Sequence, residues 1–147
     1  MDKYDSLKLG NQLCFPLYAA GKEIVKKYHP YLAEYDLTYT QYITLMVLWE
    51  TDNISVKELG NRLLLDSGTL TPLLKSMEKK GFVTRKRSED DERVVFVCLT
   101  DEGRALRDRL LHIPEQMGRC VCLSREEAGQ LYMLLGKLLN GLSQDER

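Results

Sequence analysis

The residues best suited to covalent chemistry are four cysteines, at positions 14, 98, 120 and 122. A cysteine thiolate can be oxidised to a sulfenic acid, and that species condenses with a second thiol. Cys14 lies on an apolar stretch, where an inert buried thiol is the competing reading. Cys120 and Cys122 form a C-x-C without a second close pair, so they miss the four-ligand zinc spacings, and the even count does not license disulfides. His29 and His112 stand far apart with no paired-carboxylate motif, and no phosphate-binding glycine loop or metal-ligand motif occurs. Catalysis beyond oxidation of the chain's own thiol is therefore not expected, and neither is a cofactor or a metal.

A second group of residues suits polyanions. Lys79 to Arg87 (KKGFVTRKR) carries five basic side chains and no acidic one. Within it Arg85, Lys86 and Arg87 read as phosphate contacts, with a solvated basic strand as the alternative. The following SEDDER, residues 88–93, puts four acidic residues, Glu89 to Glu92, before Arg93, and four carboxylates facing DNA would be repelled. Asp91, two positions away, can hold the arginine so that it extends into a narrow minor groove. The competing reading is a solvated turn with local ion pairing.

These residues need elements to position them. Leu13, Leu17, Ile24, Val25 and Tyr28 predict a first helix from Asn11 to about Tyr35, interrupted by Pro16 and Pro30. A second follows Leu37 to Tyr39 through Tyr42, Leu45, Met46, Leu48 and Trp49. Ser55 and Glu58 have capping-box spacing before a short third helix through Leu59 and Leu63. Asp66 or Ser67 then caps a fourth, with Leu70, Leu73, Leu74 and Met77 inward and Gly81 as its stop. Two short helices joined by a tight turn form a helix-turn-helix, whose second helix offers its outer residues to base edges. That leaves Ser67, Gly68, Thr69, Thr71, Pro72, Lys75 and Ser76 on the outer side. Their small hydroxyl groups give modest readout per contact, so useful specificity needs a double-stranded operator with two half-sites.

Phe82 to Arg87 and Val94 to Leu99 predict a β-hairpin closed by SEDDER, which makes a wing. A helix from about Asp101 to Gly118 follows, with Leu106, Leu110, Ile113 and Met117 on one face. Ser124 and Glu127 cap a last helix carrying Leu131, Leu134, Leu135, Leu138, Leu139 and Leu142. The expected fold is mainly α, a winged helix-turn-helix with long terminal helices. Its apolar stripes are covered by a second copy or, alternatively, by one another.

A chain of 147 residues, 44% hydrophobic, makes one domain. Residues 37–100 would be its reading head and residues 11–33 and 104–142 its dimerisation helices. The formal net charge of −1 restricts DNA contact to a local basic patch. The start MDKYDSLKL lacks the apolar stretch of a secretory signal, and no run approaches the roughly eighteen apolar residues of a membrane span. A cytosolic protein without a membrane partner is the expectation.

Several stretches resemble the multiple-antibiotic-resistance regulator (MarR) superfamily, in particular its organic-hydroperoxide-resistance branch and the related staphylococcal-type thiol-based global regulators. They are NQLCFPLY (11–18), KKYHPYL (26–32), LTYTQYITLMVLWE (37–50) and VKELGNRLLLDSGTLTPLLKSMEKKGFVTRKRSEDDERVVFVCLT (56–100). The DSGTLTPLLK block and the D-x-R wing carry the likeness in fold and DNA role. The N-terminal cysteine with two tyrosines carries the likeness to the peroxide-sensing branch. The resemblance implies a homodimeric repressor that leaves its operator when Cys14 is oxidised by an organic hydroperoxide. It assigns Tyr28 and Tyr39 of the partner subunit to hydrogen-bond that cysteine, Ser67, Thr69 and Thr71 to DNA bases, and Asp91 and Arg93 to the wing tip. Some members use one cysteine and a small cellular thiol, and others a second cysteine in the penultimate helix, a position near Cys120 and Cys122. A regulator of the same fold that answers a small aromatic or phenolic ligand is the alternative. Fourteen residues of continuous helix put Cys14 and Tyr28 about 21 Å apart, so any tyrosine hydroxyl that meets the thiol comes from an antiparallel neighbour.

Overall fold

The computed structural model describes residues 2–144. The chain divides after Ile113 into two compact units. Among the described residues there are seven α-helices and one three-stranded antiparallel sheet. No helix among them is long and apolar enough to cross a membrane.

In the first unit, two short 3-10 turns at Asp5–Leu7 and Leu9–Asn11 precede α1 (Cys14–Ala33). The helix therefore begins three residues later than the apolar spacing indicated. Pro16 falls in its first turn, where a missing N–H costs nothing, while Pro30 lies inside the helix near its end. Helix α2 (Tyr39–Glu50) opens with a complete capping box that the sequence reading did not single out. Gln41 N donates to Thr38 Oγ1 at 3.3 Å, and Thr38 N donates to Gln41 Oε1 at 3.1 Å.

Strand β1 (Ile54–Ser55) leads into α3 (Val56–Leu63). The Ser55 hydroxyl caps α3 by accepting from Glu58 N at 3.1 Å, but the Glu58 carboxylate turns to Arg62, so only half of the expected box is made. Leu64 ends the helix in the left-handed conformation, φ 55°, and Asp66 caps α4 (Ser67–Lys79) by accepting from Thr69 N at 2.7 Å. Gly81, at φ 79°, stops α4. Gly81 N donates to Glu78 O and Phe82 N to Met77 O, each at 3.0 Å, the paired bonds of a Schellman turn.

Strands β2 (Val83–Arg87) and β3 (Val95–Leu99) form the wing, with Val83 opposite Leu99 and Arg87 opposite Val95. Strand β1 pairs with the other edge of β3, Ile54 opposite Val97. Two residues are too few for a period-2 pattern, which is why β1 escaped the sequence reading. Leu45, Leu48, Leu59, Leu70, Leu74, Met77, Val83, Val97 and Leu106 are fully or almost fully buried and make the core of this unit.

The helix expected to run from Asp101 to Gly118 is in fact two, α5 (Asp101–Arg109) and α6 (Ile113–Cys120). Pro114 explains the break, because its ring would collide with the Leu110 carbonyl and it supplies no N–H to continue the ladder. In the second unit, α6 runs on to Cys120 and α7 spans Arg125–Gln144. The Ser124 and Glu127 capping box is complete, at 2.8 and 3.2 Å.

Candidate functional site

Within residues 37–100, the expected reading head, the candidate nucleic-acid face is formed by α3, α4 and the wing. Leu70, Leu74 and Met77 anchor the inner side of α4, which leaves Ser67, Gly68, Thr69, Thr71, Pro72 and Lys75 exposed. Asp66 fixes the start of α4, and the Thr69 N–H holds the Asp66 carboxyl below the usual carboxylate range. The Thr71 hydroxyl donates back to Ser67 O at 2.8 Å, which leaves its lone pairs and methyl for an incoming ligand. Ser76, placed on the outer side by the sequence reading, instead faces α2, where its hydroxyl accepts from Gln41 Nε2 at 3.1 Å.

At the wing, Asp91 grips Arg93 through three bonds: Arg93 N and Nε donate to Oδ1 at 3.0 and 3.1 Å, and the guanidinium donates to Oδ2 at 3.2 Å. The Arg93 side chain is 89% exposed. The pair is the arrangement that lets an arginine stand clear of an acidic loop, and it holds the Asp91 carboxyl below its ordinary range. Ser88 braces the same loop, its N–H donating to Val94 O at 2.8 Å.

The three basic residues of β2 differ in what they meet. Lys86 is exposed. Arg87 straps the loop by donating to Glu92 O at 3.0 Å. Arg85 is held by Glu78 of α4, at 2.9 and 3.3 Å from its guanidinium and 3.2 Å from its backbone N–H, and this pairing lowers the Glu78 carboxyl. Between α3, α4 and the wing lies an open groove of about 590 Å³ whose lining includes Ser67, Thr71, Arg85 and Arg93. Exposed Lys57 and Asn61 of α3 also line it. The sequence reading missed both, although removing inward Leu59 and Leu63 from the third helix would have left them as its outer face.

Cys14 is the first residue of α1 and is exposed. No side chain caps that end of the helix, so the positive end of the helix dipole faces an anion placed there. Tyr28 lies fourteen residues farther along the same helix, which keeps the two apart within one chain. The fold does bring Tyr28 and Tyr39 together, with ring centroids 4.8 Å apart. Tyr42 extends the group, 5.8 Å from Tyr28 and 6.5 Å from Trp49. Burial first, and the neighbouring Tyr39 second, raises the Tyr28 phenol above its ordinary value, so it remains a proton donor at neutral pH.

In the second unit, Cys120 closes α6 and is exposed. Cys122 is exposed too and lies between α6 and α7, just outside the penultimate helix. Cys98 is half-exposed on β3 and donates its thiol hydrogen to Asn53 Oδ1 at 3.1 Å.

Residues 26–110 match the family model described as transcriptional regulator SarA/Rot. The organic hydroperoxide resistance transcriptional regulator of Bacillus subtilis is 47% identical over 143 residues, 97% of each chain. Reduced AbfR bound to DNA, a protein of Staphylococcus epidermidis, superposes with a TM-score of 0.79 at 32% identity, over 95% of this chain and 97% of that one. Its disulfide-formed structure fits less closely, at 0.68 over 95% and 96%. A cysteine-to-serine mutant of MarR from E. coli, complexed with operator DNA, gives 0.82 at 25% identity, over 95% and 99%.

Proposed function

The chain belongs to the SarA/Rot family of transcriptional regulators and has the MarR-type winged-helix fold, and on that premise we propose that it is a homodimeric repressor whose switch is oxidation of Cys14 by an organic hydroperoxide. The observation that carries this reading is the full-length likeness to a hydroperoxide-resistance regulator, joined to an exposed Cys14 at the open start of α1. The protein is a DNA-binding regulator and not an enzyme. As a cytoplasmic dimer it grips two half-sites of a duplex operator. Ser67, Thr69, Thr71 and Lys75 of each α4 meet the major groove, Arg93 enters the minor groove beside the wing, and Lys86 and Arg87 meet phosphates. Arg85, occupied by Glu78, serves chiefly to fix the wing against α4.

Attack by the Cys14 thiolate on the hydroperoxide O–O bond gives a sulfenic acid and releases the alcohol. Tyr28 and Tyr39 of the partner subunit hold the reduced sulfur by hydrogen bonds that the sulfenic acid disrupts. A second thiol then attacks that sulfur, forming a disulfide and releasing water. Cys120 or Cys122 supplies it, or a small cellular thiol does. Closing a disulfide draws two α-carbons to within about 7 Å, a shift that alters the separation of the reading heads.

The test is operator affinity, on a duplex selected from random sequences, before and after one equivalent of cumene hydroperoxide and again after dithiothreitol. Loss restored by the reductant is expected. A Cys14→Ser protein that still loses its operator on peroxide treatment sinks the reading. Non-reducing mass spectrometry assigns the second thiol, as a Cys14 crosslink to Cys120 or Cys122 or as a mixed disulfide.

One observation favours the second reading, release by a small phenolic ligand. A cleft of about 490 Å³ between α1 and α2 is lined by Val25, Leu32 and Leu37 together with His29, Tyr39 and Lys80. Release by such a ligand would be indifferent to dithiothreitol.

A further inference from the structure

Among the described residues, Gln41 and Thr44 are the buried polar side chains. Thr44 is satisfied within its own helix, donating to Thr40 O at 2.7 Å. Gln41 is not confined in that way, because its amide ties three segments together. Its Oε1 accepts from Thr38 N at 3.1 Å, at the start of α2, and from Lys80 Nζ at 3.2 Å, at the end of α4. Its Nε2 donates to Ser76 Oγ on α4 at 3.1 Å. Lys80 completes the loop by donating to Asp36 O at 2.6 Å, in the turn between α1 and α2. Asp36 holds that turn at a positive φ of 54°.

Tyr39 sits inside this loop of bonds by sequence, between the Thr38 cap and Gln41, with its ring against Tyr28 of α1. A buried amide with three of its four hydrogen-bonding positions filled is stiff, since breaking one of those bonds weakens the pairing of a polar group in the interior. Moving Tyr39 therefore displaces the Thr38 cap, and the cap cannot move without dragging Gln41 against Ser76 and Lys80 of the recognition helix. We infer that Gln41 is the positioning residue that carries a displacement of Tyr39 to α4, and so sets how strongly events beside Tyr28 and Tyr39 change the grip on DNA. This rests on the role given above to the tyrosine pair, but the mechanical link itself needs no oxidant.

The experiment is a mutant cycle read by operator affinity of the reduced, full-length protein. Tyr39→Ala is introduced into the native background and into the double variant Ser76→Ala/Lys80→Met, which breaks both links on the α4 side and leaves the capping box intact. A third background, Gln41→Met, keeps the volume but loses every amide bond, and Gln41→Glu keeps acceptors for Thr38 N, Lys80 and the Ser76 hydroxyl. In the native and Gln41→Glu backgrounds, Tyr39→Ala should change operator affinity by at least about 5-fold, the lower end of usual coupling between sites. In Ser76→Ala/Lys80→Met and in Gln41→Met the same change should shrink to less than about 2-fold. A purely structural role for Gln41 would lower affinity without this non-additivity. An equal effect of Tyr39→Ala in every background, or no effect in the native one, overturns the link. A peroxide arm on the native protein separates the two readings: non-additivity without any peroxide response leaves the link standing and removes the redox switch.

Discussion

Arg93 shows what a single side chain contributes when its neighbour does the positioning. With 89% of the side chain exposed, Arg93→Ala has little packing to lose and should leave the melting temperature unchanged. Operator affinity should fall about tenfold, and an unchanged Kd would remove the wing from the interface. Lys86→Ala should act differently, weakening all duplexes alike and flattening the log–log salt dependence by about 0.9. The Asp91 carboxyl is held low by Arg93. A group whose folded pKa is depressed contributes above its unfolded pKa of about 3.9 and loses that contribution as pH falls through the lower folded value. The grip on Arg93 is therefore complete from pH 5 to 8. The affinity ratio between native protein and Asp91→Asn should stay constant over that range in a fluorescence-anisotropy titration, and a drift with pH would assign the arginine to another partner.

Elements meet at Gly103. A methyl added there would stand 2.1 Å from the Phe82 carbonyl oxygen and 3.2 Å from Leu99 Cδ2. The Gly103 carbonyl meanwhile accepts from Trp49 Nε1 at 2.9 Å. Helix α5 is thus pressed onto the backbone at the base of the wing while α2 holds its other side, and neither can retreat without loss. Gly103→Ala should destabilise the fold at the upper end of the ~1–3 kcal/mol typical of overpacking, measured by urea unfolding; a cost below about 0.5 kcal/mol would show the contact to be soft. The two-residue β1 and the break at Pro114 belong to the same scale. Each was visible as residues, Ile54 and Ser55 or the proline itself, but a pairing partner or a clash with the preceding turn decided its meaning.

For the whole molecule the open question is what covers the apolar faces. In the first unit α1 exposes Leu17, Ile24 and Val25, with Leu13 just before it, and in the second α7 exposes Leu131, Leu134, Leu138, Leu139 and Leu142. Monomers rarely leave contiguous patches of this kind open, so sedimentation at micromolar concentration should give twice the chain mass. A monomer would remove both the dimer and the cross-subunit contact of Cys14 with the tyrosines. Local chemistry by itself determined much of this protein. Helical spacing, the Ser55, Asp66 and Ser124 caps, the Gly81 stop and the short-range Asp91 to Arg93 pairing act within a few residues, so their order along the chain specifies them. What only the tertiary structure decided lies between elements distant in sequence. Burial turned Ser76 from the outer face of α4 towards Gln41, Glu78 took Arg85 out of the free basic run, and chain reversal after α1 set Tyr28 against Tyr39. No periodicity records these contacts, because each depends on which faces meet once the core has closed.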